Sequence, residues 1–187
     1  MLLNFLGFQL GWFACVLGGA WGWPWLGVLV AAAVIGLHLR RAERPWAEAA
    51  LIGLSGLIGF AADSALTGLG LLRFPSGQFH PLLAPYWMVA LWMVFATTLN
   101  SSLRWLQPRW GLAALLGLIG GPLAYEAGVR LGGVSFDRPP LSLAAVAGVW
   151  LVATPLLLLI ANRWNGKAET DSTNAAPRKS DTADKPG

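Results

Sequence analysis

The 187-residue chain has a single cysteine, two histidines, two tyrosines and no lysine before Lys167. The lone Cys15 excludes an intramolecular disulfide, and no Cys/His spacing matches a zinc site, so neither a metal nor a cofactor is expected. No Ser–His–Asp spacing, glycine-rich phosphate loop or cysteine-based motif occurs, which argues against the common enzyme classes. Charge is scarce as well: 12% of residues are Asp, Glu, Lys or Arg. Because the basic residues lie at segment ends and in the C-terminal stretch, the formal charge of +4 does not signal nucleic-acid binding. No Lys or Arg precedes the first apolar stretch, so neither a secretory signal peptide nor lipoprotein cleavage before Cys15 is expected.

Apolar sequence fills the space these absences leave. The chain is 56% hydrophobic, with a mean hydropathy of +0.57, far to the apolar side of a soluble domain. Runs long enough to cross a bilayer fall at about 2–20, 23–39, 46–70, 82–103, 109–131 and 141–162. Period-two alternation is absent and Leu, Ala and Gly are abundant, so all six are expected to be helices. Turn signals separate them: Gly22-Trp23-Pro24, Arg40 to Pro45, the Pro- and Gly-containing stretch 73–81, Gln107-Pro108, and Asp137 to Pro140. The reading is an all-α, polytopic transmembrane bundle over 1–164, followed by a disordered cytoplasmic tail at 165–187.

Basic residues set the expected orientation. With the N-terminus cytoplasmic, Arg40, Arg41, Arg44, Arg104, Arg109, Arg163 and Lys167 lie inside, against Arg73, Arg130 and Arg138 outside. Both termini are therefore expected in the cytoplasm. Trp21, Trp23, Trp25, Trp46, Trp87, Trp105, Trp110 and Trp164 fall near segment ends, where an amphipathic ring suits the headgroup level. Trp12, Trp92 and Trp150 lie inside segments and read as packing residues.

Small residues mark faces where helices approach closely: Gly7 and Gly11, Ala49 and Gly53, and Ser55 and Gly59 are each four apart. Leu54-Ser55-Gly56-Leu57-Ile58-Gly59 has a near copy in Leu115-Leu116-Gly117-Leu118-Ile119-Gly120. Each copy precedes an embedded carboxylate, and each following helix carries Trp92 or Trp150 eleven residues after a proline. The pattern hints at two duplicated hairpins in parallel.

Asp63 and Glu126 are the residues that need a reason, because a carboxylate inside a bilayer-length segment is expensive. Asp63 is 17 residues past Trp46 and Glu126 is 16 past Trp110. At ~1.5 Å per residue both would stand roughly 24–26 Å above the cytoplasmic interface. Arg130 is one turn beyond Glu126, and Thr67 one turn beyond Asp63. With Tyr125, Tyr86 and His80 near the same level, these residues define a candidate outward-facing polar cavity. The alternative is that Glu126 pairs with Arg130 while Asp63 ties to a neighbouring helix. At the other end, Asn4, Gln9, Glu48, Asn100, Ser101 and Ser102 read as interhelical ties, and His38 as a surface residue.

The run Asn4-Phe5-Leu6-Gly7-Phe8-Gln9-Leu10-Gly11-Trp12-Phe13-Ala14-Cys15-Val16 resembles the opening of a bacterial membrane family, domain of unknown function 2878. Gly59 to Asp63, Pro85-Tyr86-Trp87-Met88 with Leu91-Trp92, and Gly121-Pro122-Leu123-Ala124-Tyr125-Glu126 are similar to its later blocks. The resemblance covers about 4–160 and implies a bacterial inner-membrane protein with no catalytic residues to carry over. It also implies that such proteins are encoded near enzymes that modify membrane fatty acids, an association and not a mechanism. Three functions follow as expectations: a non-catalytic membrane subunit beside a lipid-modifying enzyme, a small carrier using the outer cavity, or, third, an enzyme acting on lipid through Asp63 and Glu126.

Overall fold

Proline opens three of the long helices, where its missing N–H would have had no intrahelical partner. They are α2 (Pro24–Arg41), α3 (Pro45–Gly68) and α6 (Pro139–Ala175). The others are α1 (Leu2–Ala20), α4 (Tyr86–Ala96) and α5 (Trp110–Arg130), with a single 3₁₀ turn at Arg104–Leu106. The computed structural model describes the backbone of residues 1–175 and the side chains of residues 1–164. Helix α6 continues past Trp164, so the segment expected as a solvated tail starts inside it; residues 176–187 lie outside the described part.

Five of the helices are long and apolar enough to cross a membrane: α1, α2, α3, α5 and residues 139–164 of α6. Their outer faces are apolar, with Leu29, Leu57 and Leu123 each more than 60% exposed. Apolar surface on this scale marks a membrane or protein interface, and the length and hydropathy of the five helices fit a membrane. The fourth apolar segment is not among them and departs from the expected continuous helix over 82–103. Regular helix stops at Ala96 and the chain goes on through successive turns to the 3₁₀ turn.

That segment still runs the full height of the bundle, antiparallel to α3. Ala84 N–H donates to Ser64 Oγ, Ser55 Oγ donates to the Trp92 carbonyl, and Asn100 Nδ2 donates to Glu48. Positions 64 to 48 of α3 are thus matched by 84 to 100, a rise of roughly 24 Å at ~1.5 Å per residue. Irregular backbone at this depth requires protein on all sides and partners for its carbonyls. Both conditions are met. Thr97, Thr98 and Leu99 are buried. Thr97 and Thr98 hydroxyls donate to the carbonyls of Val94 and Phe95, Asn4 Nδ2 to that of Thr97, and Gln107 Nε2 to that of Leu99.

Helix α4 is the core of the bundle, contacting α1, α2 and α3 and burying Trp87, Met88, Trp92 and Val94. The expected small-residue faces are only partly used. Gly11 packs on Val94 and Gly59 on Trp92, whereas Gly53 has open space beside it.

The two hairpins α3–α4 and α5–α6 leave their first helices through the same turn. After α3, Leu69, Gly70 and Leu71 donate to the carbonyls of Ala65, Thr67 and Leu66. After α5, Leu131, Gly132 and Gly133 donate to those of Ala127, Val129 and Gly128 in the same pattern. Gly70 (φ 66°) and Gly132 (φ 80°) take the left-handed conformation that such helix ends require. Each turn leads into a two-residue strand, β1 (Leu72–Arg73) or β2 (Ser135–Phe136). The strands pair antiparallel, Leu72 opposite Phe136, and join the ends of α3 and α5.

Candidate functional site

The repeat decides which residues meet at the seam between the hairpins. Gly59 of α3 lies against the Trp92 ring, and Gly121 of α5 lies against the Trp150 ring. One turn earlier, Ser55 bonds the Trp92 carbonyl while Gly117 abuts the Trp150 carbonyl. The structural register therefore equates Gly59 with Gly121, one residue later than the match of Leu54–Gly59 with Leu115–Gly120. One turn further on it equates Asp63 with Tyr125, not with Glu126. Successive helical residues point about 100° apart, so this single-residue difference turns Glu126 away from the seam.

Asp63 and Tyr125 meet there. Tyr125 Oη donates to Asp63 Oδ1 at 2.5 Å, and Trp92 Nε1 donates to Asp63 Oδ2 at 2.8 Å. Trp92 stacks on Trp150 with centroids 4.3 Å apart and planes 14° apart, and the Phe95 ring meets Trp150 edge-on. Asp63 is 0% exposed. Among the described residues it forms no ion pair, so two neutral donors are what face its oxygens. The Trp150 indole faces the Tyr125 phenol, but its N–H makes no bond of regular geometry, and the buried Thr154 hydroxyl also lacks an acceptor. Beside this centre is an apolar cavity of about 60 Å³, walled by Phe8, Trp12, Leu91 and Phe95 and closed by Tyr125 and Trp150.

The other expected site residues lie apart from this centre. Thr67 sits one turn above Asp63 but donates to its backbone carbonyl at 2.7 Å, not to the carboxylate. Glu126 accepts from Arg130 Nε at 3.3 Å, with side chains 38% and 78% exposed. Tyr86 stacks between Trp25 and Phe79. His80 accepts from the Leu82 N–H and, with Thr67 and the Arg73–Asp137 ion pair, lines a separate open pocket. Asp63 and Tyr125 are thus brought together; Glu126, Arg130, Tyr86 and His80 are not part of their cluster.

The exposed Glu126–Arg130 pair is expected to matter little. Glu126→Gln should lower stability by no more than ~1 kcal/mol, read as a thermal midpoint in detergent close to that of the parent protein. A large drop would show that Glu126 carries a load the geometry does not assign to it.

Two side chains of the centre, Trp92 and Trp150, were expected only to pack. Their signal in the sequence was the pairing of each with a glycine, Gly59 or Gly121, on the preceding helix. At the opposite end His38 is not a surface residue: its Nε2 lies 3.0 Å from Glu48 Oε2, with both side chains largely buried. Asn100 Nδ2 donates to Glu48 Oε1 at 2.7 Å, and Gln107 Nε2 to Asn100 Oδ1 at 2.8 Å. Asn4 and Ser102 complete the ties expected there. Among the described residues no group of His, Cys, Asp and Glu is arranged to hold a metal ion.

An all-helical bundle with five helices long and apolar enough to cross a membrane, and a carboxylate sealed among α3, α4 and α5, defines a membrane protein. The family model described as a protein of unknown function, DUF2878, matches residues 1–156, and the chain belongs to that family. No curated protein and no solved structure matches it.

Proposed function

We propose that the protein is a small carrier of a bacterial inner membrane, in which Asp63 takes up and releases a proton as the two hairpins move. The observation that carries this reading is the burial of Asp63 at the seam with no cation paired to it among the described residues. An ionisable group in that setting is a functional candidate by default, and repeat interfaces are where carriers place their sites. Ionised, Asp63 accepts charge-assisted bonds from Trp92 and Tyr125 and holds α3, α4 and α5 together. With a proton on one oxygen the carboxyl loses the charge that strengthens both bonds and must place a donor of its own, so the seam loosens. The aromatic cavity beside Tyr125 is the space into which the seam opens.

The test uses the Trp92 indole, which contacts the carboxylate, and the Trp150 indole stacked on it. Intrinsic fluorescence of the full chain in nanodiscs, titrated from acid to alkaline pH, should show a transition that Asp63→Asn abolishes and Glu126→Gln retains. Identical titrations of the parent protein and Asp63→Asn would refute proton exchange at this site.

A second reading has its own support. Both oxygens of Asp63 are occupied by side-chain donors, which suits a fixed tie in a non-catalytic subunit beside a membrane-bound lipid-modifying enzyme. Under that reading Asp63→Asn lowers thermal stability and leaves the pH response unchanged. An enzyme acting on lipid through Asp63 and Glu126 has less support, because the two carboxylates face different surroundings.

The orientation belongs to the same proposal. The excess of arginine at the Glu48 end supports cytoplasmic placement of both that end and the end of α6. A periplasm-dependent reporter inserted in the 73–81 loop should be active, and one fused beyond Trp164 silent; the reverse pattern overturns the orientation.

A further inference from the structure

At the end of the bundle remote from Asp63, a pocket of about 490 Å³ opens among the start of α1, the end of α2, the start of α3 and the turns after α4. Its polar part is lined by Arg41, Arg44 and Arg104. None of the three guanidiniums makes an ion pair or side-chain hydrogen bond among the described residues. The nearby buried Glu48 carboxylate is engaged by His38 and Asn100 and forms no ion pair with any of the three. Glu43 also lines the pocket, unpaired and exposed, so the arginines outnumber the free carboxylate. The lining also includes the polar Asn4, His38, Asn100 and Ser101, and on one side an apolar wall of Leu3, Val34 and Leu37. Leu3 and Leu37 are 71% and 50% exposed, which makes this wall continuous with the lipid-facing surface of α1 and α2.

We infer that this pocket binds a phosphate group, presented as the headgroup of an anionic phospholipid whose acyl chains lie along Leu3, Val34 and Leu37. Unpaired guanidiniums match phosphate oxygens through forked, charge-assisted hydrogen bonds. The apolar wall beneath them gives an amphiphile a place for its tails that a free anion does not need. The pocket lies outside the Asp63 centre, so the inference stands independently of the proposed carrier function.

Arg41 and Arg104 are exposed, so Arg41→Gln with Arg104→Gln removes charge without disturbing packing. Each arginine near a membrane surface is worth about 1 kcal/mol toward anionic lipid, so the double variant should weaken binding about tenfold or more. The full chain in detergent is titrated with dioleoylphosphatidylglycerol, dioleoylphosphatidylcholine and inorganic phosphate, and binding is read from thermal stabilisation. The expected result is binding of the phosphatidylglycerol that the double variant loses, with weak, variant-independent binding of the phosphatidylcholine. Arg130→Gln, at the opposite end, should leave it unchanged. Arginine-dependent binding of inorganic phosphate without preference for phosphatidylglycerol would retain the phosphate site and replace the lipid by a soluble source. Equal binding by the parent and the double variant in every arm overturns the inference, as does an equal loss in Arg130→Gln.

Discussion

Gly121→Ala is expected to destabilise the bundle severely, while Gly120→Ala, one residue earlier on the same helix, should be neutral or slightly stabilising. A methyl group on Gly121 would land on the Trp150 indole, and one on Gly59 would land on Trp92; beside Gly120 there is open space. Trp92 is 1% exposed and stacked on Trp150, so neither ring can swing aside without separating the hairpins. Overpacking of this kind costs typically 1–3 kcal/mol, and two rigid rings place Gly121→Ala and Gly59→Ala at about 3 kcal/mol or above. Alanine recovers up to ~1 kcal/mol of helix propensity at either position, and at Gly120 nothing opposes that gain. Thermal unfolding followed by tryptophan fluorescence separates the two. Equal midpoints for Gly120→Ala and Gly121→Ala would mean that the hairpins do not pack through their glycines.

The second large effect is expected at Asp63, and the choice of replacement determines its size. Asp63→Leu leaves the Trp92 N–H and the Tyr125 hydroxyl facing an apolar side chain in a sealed site. An unsatisfied buried donor costs about 1–3 kcal/mol, and polar contacts in membrane proteins fall toward the low end, so a loss of about 2 kcal/mol or more is expected. Asp63→Asn keeps one acceptor oxygen for Trp92, and the phenol can turn to accept from the amide, so its cost should be about 1 kcal/mol. Tyr125→Phe in the Asp63→Leu background should then recover part of the loss by removing one stranded donor. If the double variant is no more stable than Asp63→Leu alone, Tyr125 is not bound through Asp63 in the folded protein.

Much of this architecture can be read directly from the residues. Pro24, Pro45 and Pro139 announce helix starts, the tryptophans at segment ends announce the crossings, and Asp63 is conspicuous because bilayer-length segments rarely hold a carboxylate. The break after Ala96 was harder to see, since hydropathy alone does not separate a helix from an apolar run of turns. Its mark is the sequence Thr97-Thr98-Leu99-Asn100-Ser101-Ser102, whose hydroxyls and amide compete with the backbone ladder. Glu126 misled because depth along a helix is legible from residue counting, whereas the direction a side chain faces depends on a register that only packing fixes. His38 reads as a surface residue for a related reason: it meets Glu48 because α2 and α3 fold back on one another across a short connection.

The side chains that complete the broken fourth crossing also constrain how the protein is made. The Thr97 carbonyl relies on Asn4, which is synthesised earlier, and the Leu99 carbonyl on Gln107, which emerges later. Until both are present, residues 97–103 cannot reside in lipid without bare carbonyls. The fourth segment therefore takes its broken form only once α1 and the turn holding Gln107 have closed around it, and assembly of the bundle and breaking of this segment are one cooperative step.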